Sequence, residues 1–343
     1  MKRVVVDAFG GDNAPVEIIS GCAMALAEIP DLYLILTGDE QRIEQELAKH
    51  KGIDRGRVEV RHAPDVITNN EHPVNAVRRK KDSSLVKALE AVASKEAEVF
   101  VSAGSTGAVL AGATFIVRRI KGVKRPALAP VLPTRKDHDV ILIDCGANVE
   151  CTPEYLLQFA YMGSFYAKKI MGCENPRVAL LNVGTEETKG TELQKHTYNL
   201  LKKAHEAGRI NFVGNAEASD LFLGSIDVMV TDGFSGNILL KGTEGAVKFL
   251  LGKIVGILKG SRKAKVAALM IRGDLSDFKV AMDVSEVGGT ALLGISQPVI
   301  KAHGSSDARA IRSAIKQAIR FIEAGVIREI EENIEFMKLT SEE

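Results

Sequence analysis

Tryptophan is absent from this chain of 343 residues, and aromatic residues make up only 5% of it. Single-stranded nucleic acids stack their bases on aromatic side chains, and duplexes need a strongly basic surface. The formal net charge is only +1. Hydrophobic residues reach 45% and charged residues 26%. The composition therefore indicates an ordinary globular protein with no nucleic-acid partner.

Cysteine is also scarce, and its spacing is uninformative. The chain has four cysteines, none of them in a C-x-x-C pair: Cys22, Cys145, Cys151 and Cys173. They lack the pattern of a zinc site or of a disulfide framework, and they fit a reducing compartment. No spacing of His, Asp and Glu indicates a metal site either. We expect no metal and no other cofactor.

Targeting and membrane-spanning segments are missing as well. The apolar run at residues 4–6 is too short for a signal peptide, and the acidic residue Asp7 follows it directly. Residues 99–117 carry no charge and have the length of a membrane span. Residues 103–107, however, would break a helix there, and irregular backbone is not tolerated in lipid. We therefore expect a buried strand, loop and helix, in a cytoplasmic protein that is at most peripherally bound to membrane.

A recurring pattern predicts the fold. The stretch VVVDAFGGDNAP, residues 4–15, is a short apolar run followed by a glycine-rich joint. The same order returns in residues 99–112, 140–154, 178–192, 227–241 and 298–311. Apolar runs without alternation are typical of strands covered on both faces. Their repetition with helices predicts a three-layer α/β/α fold with a mainly parallel sheet, and we treat residues 1–335 as a single α/β catalytic domain.

The last repeat has the clearest helix. Four isoleucines recur at helical spacing: Ile311, Ile315, Ile319 and Ile322. Ser305 or Ser306 can cap the start of this helix, and Gly325 can end it.

The six joints predict an anion site. Loops that follow parallel strands gather at one edge of the sheet, where ligands bind. Joints rich in glycine, hydroxyl and amide groups offer backbone N–H groups and helix N-termini to anions such as phosphate. No G-x-G-x-x-G follows the first strand and no Walker loop occurs, so a dinucleotide or ATP site is unsupported. The predicted phosphate- and substrate-binding residues are Gly10, Gly11, Asp12, Asn13, Ser102, Gly104, Ser105, Thr106, Gly107, Asp144, Asn148, Asn182, Gly184, Thr185, Asp232, Gly233, Ser235, Gly236, Gly304 and Ser305.

The residues alone leave three functions open. The first is acyl or phosphoryl transfer at a phosphate-binding edge. The second is a metal- and NAD-dependent decarboxylating dehydrogenase on a similar fold, which needs an aspartate cluster and a dinucleotide loop. The third is a membrane-binding scaffold built on residues 245–273, which leaves the six polar joints unexplained.

A resemblance separates these alternatives. Seven segments follow one another in the sequence: DAFGGDNAP, SAGSTGA, RPALAPVLPT, DCGANVECTPE, LLNVGTEETKG, TDGFSGN and IKAHGSSD. Together they resemble the bacterial phosphate acyltransferase family, from residue 2 to about residue 325. Phe9 departs from the methionine that the family often has.

The resemblance implies a fold and a reaction. The fold is similar to the isocitrate/isopropylmalate dehydrogenase-like and phosphotransacetylase folds, and the protein is a homodimer. The reaction transfers a long acyl chain from acyl carrier protein (ACP) to inorganic phosphate. The acyl phosphate then serves a glycerol-3-phosphate acyltransferase, on the way to phosphatidic acid.

The expected chemistry is direct attack of phosphate on the thioester carbonyl. Phosphate is already anionic at neutral pH, and a thiolate whose pKa is about 8.5 leaves without a strong acid. The site then needs a cation for phosphate and a donor for the carbonyl oxyanion. With the resemblance, Lys189 is the predicted phosphate-holding cation and Asn237 the oxyanion donor. His303 is a general base or a phosphate donor.

Each of these residues also has a structural interpretation. In that interpretation Lys189 is an ordinary surface lysine, Asn237 caps a helix and His303 has a structural role only. Asp232 can orient Lys189 or Asn237, although a carboxylate close to phosphate repels it. Cys145 is a rival nucleophile for a covalent acyl-enzyme, with no partner histidine visible in the sequence.

Basic segments are candidate partner surfaces. Residues 245–273 hold seven basic residues and no acidic one, together with a helical apolar stripe. We expect residues 245–285 to form a basic amphipathic helical excursion that contacts the second subunit or, transiently, the membrane or the glycerol-3-phosphate acyltransferase. The segments RRKK (78–81) and RRIKGVKR (118–125) are alternative docking sites for the acidic ACP.

Overall fold

The computed structural model describes residues 1–135, 138–273 and 289–337. The strands are β1 (Lys2–Asp7), β2 (Leu32–Gly38), β3 (Val58–His62), β4 (Val99–Ser102), β5 (Ala127–Ala129), β6 (Val131–Pro133), β7 (Asp139–Ile143), β8 (Arg177–Leu181), β9 (Asn211–Ala216), β10 (Val228–Val230), β11 (Thr290–Leu293) and β12 (Val299–Lys301). The helices are α1 (Val16–Glu28), α2 (Glu40–Leu47), α3 (Pro73–Arg79), α4 (Ser84–Ala93), α5 (Thr106–Gly112), α6 (Pro153–Ile170), α7 (Glu192–Glu206), α8 (Gly233–Lys259), α9 (Arg262–Met270), α10 (Ala308–Ala324) and α11 (Val326–Glu332).

The strands are divided between two sheets. The seven-stranded sheet has the order β3-β2-β1-β4-β12-β11-β5, and only β11 runs antiparallel to its neighbours. The five-stranded sheet has the order β6-β7-β10-β8-β9, and only β6 runs antiparallel. All six strands that the recurring pattern predicts are present. The three-layer, mainly parallel fold is thus confirmed.

Strand order decides which loops meet. In the seven-stranded sheet β1, β4 and β12 lie side by side, with Val5 opposite Phe100 and Ile300 opposite Val101. In the five-stranded sheet β7 and β10 are neighbours, with Ile143 opposite Val230. Joints that are far apart in sequence therefore come together at the carboxyl ends of these strands.

The strands are buried because helices cover both faces of each sheet. Val4, Val5 and Val6 of β1 are at most 1% exposed, as the continuous apolar run predicts. Helix α1 packs against α10, and a β-carbon at Gly21 would lie 2.6 Å from the carbonyl oxygen of Ala308. This close approach brings the N-terminus of α10 beside the joint after β1.

Helix α10 corrects one detail of the sequence analysis. Its N-cap is Asp307, whose carboxylate accepts from the backbone N–H of Ala310 at 2.9 Å, and neither Ser305 nor Ser306 has this role. The helix therefore begins one or two residues later than the pattern predicts. The helix ends at Gly325, in the left-handed conformation with φ +64°, as predicted.

Helices α8 and α9 differ from the rest of the fold. Helix α8 has 27 residues, so it is about 40 Å long. Within it only Gly233 and Gly236 are buried, and no residue of α9 is. Residues 274–285 of the predicted excursion lie outside the described residues. None of the described helices combines the length and the hydrophobicity needed to cross a bilayer.

Candidate active site

A cavity of about 680 Å³ lies where loops of the two sheets face each other. The seven-stranded sheet contributes residues that follow β4 and β12, and the five-stranded sheet contributes residues that follow β7 and β10. The predicted site residues that line this cavity are Thr106, Gly107, Gly233, Asn237, His303 and Ser305. Its position at the strand ends is the one that parallel α/β folds use for ligands.

The joints after β1 and β12 are tied to each other. The backbone N–H of Asp12 donates to the carbonyl of Gly304 at 2.8 Å. The amide of Asn13 donates to the carbonyls of Ser305, at 3.2 Å, and of Ser306, at 3.3 Å. Neither Asp12 nor Asn13 lines the cavity. These residues hold the loop of His303 in place.

The joint after β4 is shaped by buried polar groups. Ser102 donates to the carboxylate of Asp7 at 2.7 Å and accepts from the backbone N–H of Gly104 at 2.9 Å. A β-carbon at Gly10 would lie 2.5 Å from that carboxylate, so only glycine fits. Burial raises the pKa of Asp7. Gly10 of the joint after β1 therefore packs against Ser102 and Gly104. Neither these three residues nor their neighbours Gly11 and Ser105 line the cavity.

His303 lines the cavity in a defined tautomer. The backbone N–H of Ser305 donates to its Nδ1 at 3.2 Å, so Nδ1 is an acceptor. The hydroxyl of Ser305 also lies 2.9 Å from Nδ1. Burial, and then the positive charge of Lys241, lower the pKa of the imidazole. The ring is therefore neutral at pH 7 and carries its proton on Nε2, where it can donate to an anion.

Lys301 is a cavity residue that the sequence analysis missed. It is the last residue of β12 and is only 7% exposed. Its Nζ donates to the carbonyl of Ala103 at 3.3 Å and to that of Ala302. Burial lowers the pKa of its ammonium group to about 8. The available signal was a single lysine inside the apolar run PVIKA, at the end of a predicted buried strand.

On the five-stranded sheet Asp144 holds the joint after β7. Its buried carboxylate accepts from the backbone N–H groups of Leu128 (2.9 Å), Ala147 (3.2 Å) and Asn148 (2.7 Å), and from the Asn148 amide (3.0 Å). Burial raises the pKa of Asp144, which these donors oppose. With its acceptors used in this way, Asp144 orders the loop, and Asn148 is held beside it.

The N-terminus of α8 is pressed onto this joint. A β-carbon at Gly236 would overlap the carbonyl oxygen of Asp144, and one at Gly233 would lie 2.5 Å from that of Asn148. Asp232 caps the helix by accepting from the backbone N–H of Ser235 at 2.9 Å. Asn237 is therefore not the cap, and its exposed side chain lines the cavity.

The joint after β8 stays apart from the cavity. Lys189 is exposed, and neither it nor Asn182, Gly184 or Thr185 lines the cavity. The amide of Asn182 donates to the carbonyl of Lys189 at 3.2 Å, and its oxygen accepts from Val183 N–H at 2.8 Å. These bonds close the loop on itself. The role of Lys189 stays a prediction.

Cys145 lines the cavity but is poorly suited to nucleophilic attack. Burial, and then the nearby Asp144, raise the pKa of its thiol well above the ordinary value. A thiol must ionise to attack a thioester, so this environment disfavours a covalent acyl-enzyme.

The remaining wall combines apolar side chains with charges. The apolar members on α8 are Phe234, Leu240, Val247 and Leu251. Lys241 and Lys248 also face the cavity, and Lys241 pairs with Glu244 at 2.9 Å. The cavity therefore offers both cations and apolar side chains, and α8 carries some of each, which suits a ligand that is anionic at one end and apolar along its length.

The fold and the cavity define the class, an α/β protein with a small-molecule site at the strand ends. Among solved structures, the phosphotransacetylase from Streptococcus pyogenes is similar to this chain with a TM-score of 0.61, at 16% identity. The match covers 95% of this chain and 94% of that one. This likeness confirms the phosphotransacetylase-like fold.

The sequence comparisons show the family. The family model described as "Fatty acid synthesis protein" matches residues 2–329. The phosphate acyltransferase of Clostridium novyi (strain NT) is 47% identical over 333 residues, which cover 97% of this chain and 98% of the relative. The phosphate acyltransferase of Bacillus licheniformis is 46% identical with the same coverage. The chain belongs to this phosphate acyltransferase family, and it is accordingly an acyltransferase of fatty acid synthesis.

Proposed function

We propose that the protein transfers a long-chain acyl group from the thioester of acyl-ACP to inorganic phosphate, giving acyl phosphate for phospholipid synthesis. The observation that carries the proposal is the composition of one cavity, which is lined both by cationic and hydrogen-bonding groups and by the apolar side chains Leu240, Val247 and Leu251. The first suits phosphate, and the second suits an acyl chain.

The chain's own groups can perform the steps. A phosphate oxygen attacks the thioester carbonyl carbon, and the carbonyl oxygen takes up the electron pair as an oxyanion. The amide of Asn237 donates to that oxyanion, and Nε2–H of His303 donates to the phosphate. When the tetrahedral intermediate collapses, the new C–O bond remains and the C–S bond breaks. The thiolate leaves on the carrier and takes its proton from water.

The basic segment 78–81 is the better supported docking site for ACP. Its first two residues lie on α3, which begins at Pro73, and the ring of Pro73 packs beside Gly107 of the cavity wall. The guanidinium of Arg78 lies 5.2 Å from the ring centroid of the exposed Phe115. In segment 118–125, by contrast, the guanidinium of Arg119 donates to the carbonyls of its own loop. In segment 78–81 Lys80 pairs with Glu71 at 2.8 Å, and the exposed Arg78 and Arg79 offer positive charge near the cavity.

Helices α8 and α9 support the proposal of a second surface. Apolar side chains such as Phe249, Ile257, Leu269 and Met270 are more than half exposed. An apolar face of this kind is covered in a homodimer or rests on a membrane. We propose that this face contacts the second subunit or, transiently, a membrane. Sedimentation of the protein, alone and with anionic vesicles, tests them: a monomer that ignores vesicles would contradict the proposal.

The central experiment measures free ACP released from purified long-chain acyl-ACP, with and without inorganic phosphate. Phosphate-dependent release with formation of acyl phosphate is expected for the wild type, and Asn237→Ala should be strongly impaired. Release that needs no phosphate would indicate a thioesterase. No release from acyl-ACP, together with turnover of a short-chain acyl-coenzyme A, would indicate that coenzyme A thioesters are the acyl donors.

A charge-reversal variant tests the docking site within the same assay. Arg78→Glu should raise the KM for acyl-ACP and weaken its salt dependence, because the carrier is acidic. Arg119→Glu is the matched control and should leave that KM near the wild-type value. The opposite ranking would move the docking site to segment 118–125.

A further inference from the structure

We propose that helix α8 measures the acyl chain, so that Val247 and Leu251 set the longest chain that the cavity accepts. The inference rests on the proposed function and deepens it, because it assigns the chain-length specificity to named side chains. Asn237, Val247 and Leu251 all lie on α8, and all three line the same cavity. One rigid element therefore connects the expected site of reaction with the apolar wall.

The side of α8 that faces the cavity consists of two parallel stripes. An α-helix turns by about 100° per residue, so residues three, four or seven apart share a face. Leu240, Val247 and Leu251 are spaced by seven and then four residues, and they form an apolar stripe. The polar stripe beside it contains Asn237, Lys241, Glu244 and Lys248. An acyl chain can therefore follow the apolar stripe without crossing a charged side chain.

The apolar stripe is distinct from the exposed apolar face of α8. Phe249 is nine residues from Leu240, which places it about 180° away around the helix. Phe249 is 62% exposed, whereas Leu240, Val247 and Leu251 are partly buried. The exposed face thus remains for a subunit or membrane contact, and the apolar stripe for a ligand inside the cavity.

The reacting end of the acyl group is fixed near the N-terminus of α8. A β-carbon at Gly146 would lie 3.6 Å from Oδ1 of Asn237, so this side chain lies over the joint after β7. The thioester carbonyl that Asn237 stabilises is held at this end. The buried side chains of Leu128 and Val131 also line the cavity, so the chain receives apolar contacts from outside α8 as well.

The rise of the helix converts position into chain length. Val247 and Leu251 lie about 15 Å and about 21 Å beyond Asn237 along the helix axis, at about 1.5 Å per residue. An extended peptide spans at most about 3.6 Å over the three bonds of a residue, so an extended alkyl chain advances about 1.2 Å per carbon. A chain of about 12 carbons then reaches Val247, and one of about 17 carbons reaches Leu251. Among the residues of α8, all of which the structure describes, Leu251 is the last that lines the cavity.

The test compares three asparagine variants by the release of ACP from acyl-ACPs of about 8 to about 18 carbons, with phosphate present. Leu251→Asn should lower kcat/KM roughly 10-fold for the longest chains only, because an amide replaces an apolar contact at their end. Val247→Asn should cause the same loss from about 12 carbons upward. Leu250→Asn is the matched control and should keep the wild-type profile, since Leu250 is 57% exposed and does not line the cavity.

The shortest chains show whether each variant is folded, because they end before either substituted residue. A loss that is equal at all chain lengths would overturn the proposal, and so would a loss that begins at the same length in Val247→Asn and Leu251→Asn. A wild-type profile in both variants would overturn it too.

A binding measurement separates this inference from the proposed reaction. Alkylphosphonates of increasing length, which are stable analogues of acyl phosphate, are titrated calorimetrically below the concentrations at which they form micelles. Wild-type affinity should rise about 4-fold for each buried CH₂, level off at about 17 carbons, and level off at about 12 carbons in Val247→Asn. This pattern without any release of ACP would count against the proposed function alone. Absence of binding, or affinity that does not depend on chain length, would overturn the inference even if ACP is released.

Discussion

The two sheets bring different chemistry to one cavity. The seven-stranded sheet places charged and polar side chains there, chiefly Lys301 and His303 from the end of β12. The five-stranded sheet contributes a joint ordered by Asp144 and a helix that carries Asn237 and an apolar face. Under the proposed function the phosphate binds on the side of the seven-stranded sheet and the acyl chain along α8, so the reaction is expected where the two sides meet.

The largest expected effect comes from breaking the support on the five-stranded sheet. Asp144→Ala removes the acceptor of four hydrogen bonds, one buried and three partly buried, so the free energy of unfolding should fall by about 3 kcal/mol, with loss of activity. Urea denaturation measures this change. The matched control is Asp232→Ala, which removes one helix cap and should cost about 1 kcal/mol. Similar stability of the two variants would contradict this role of Asp144.

The second largest effect is expected on the chemical step, from a residue that the five-stranded sheet also positions. Asn237→Ala should lower kcat by about 10²–10³-fold with little change in either KM, because the oxyanion forms only during reaction. Asn211→Ala, which lies on β9 away from this cavity, is the control and should keep the wild-type kcat. A raised KM for acyl-ACP with normal kcat would make Asn237 a binding residue instead.

A smaller effect tests the other sheet through pH. The pKa of His303 is lowered from 6.5, so the neutral ring predominates at pH 7 and is lost as the pH falls below that value. Between the lowered pKa and 6.5 the unfolded chain binds more protons, so the stability also rises with pH there. The ratio of wild-type to His303→Gln rates should rise as the pH falls through the lowered pKa, because the imidazolium keeps its Nε2–H donor and adds a positive charge beside the phosphate. Because phosphate titrates in the same way in both assays, its contribution cancels in the ratio. A ratio that does not change with pH would show that the imidazole of His303 has no role in the reaction.

The smallest effect concerns the thiol. Cys145→Ser should keep kcat within a few fold of the wild type, because burial raises the pKa of the Cys145 thiol and no proposed step uses this residue as a nucleophile. Mass spectrometry of the enzyme mixed with acyl-ACP should find no acylated Cys145. An acyl-enzyme, or loss of activity in the serine variant, would restore the covalent alternative.

Local sequence predicted the elements but not their assembly. The six apolar runs are strands, and Gly325 ends α10, because burial and glycine conformation leave local signals. The division into two sheets depends on pairings such as Val299 with Phe100, which have no local signal. Helices α8 and α9 have exposed apolar side chains, in agreement with the amphipathic pattern of residues 245–273. Helix α8 nevertheless begins at Gly233, before that segment.

The site was predicted unevenly for a related reason. Asn237, His303 and Thr106 follow strands and do line the cavity. Gly10, Ser102 and Asp144 carry the same polar signal, yet their contacts show that they shape loops. Lys301 was missed because a lysine within an apolar strand has no signal of its direction. Only the packed structure shows that it is buried beside a cavity.

The most direct test of the whole account is a crystal structure of the protein soaked with arsenate, a phosphate analogue whose anomalous scattering identifies its position. The account predicts an arsenic peak in the cavity between the two sheets, with an arsenate oxygen within hydrogen-bond distance of Nε2 of His303. An arsenic peak elsewhere on the protein, with the cavity free of arsenic, would contradict it.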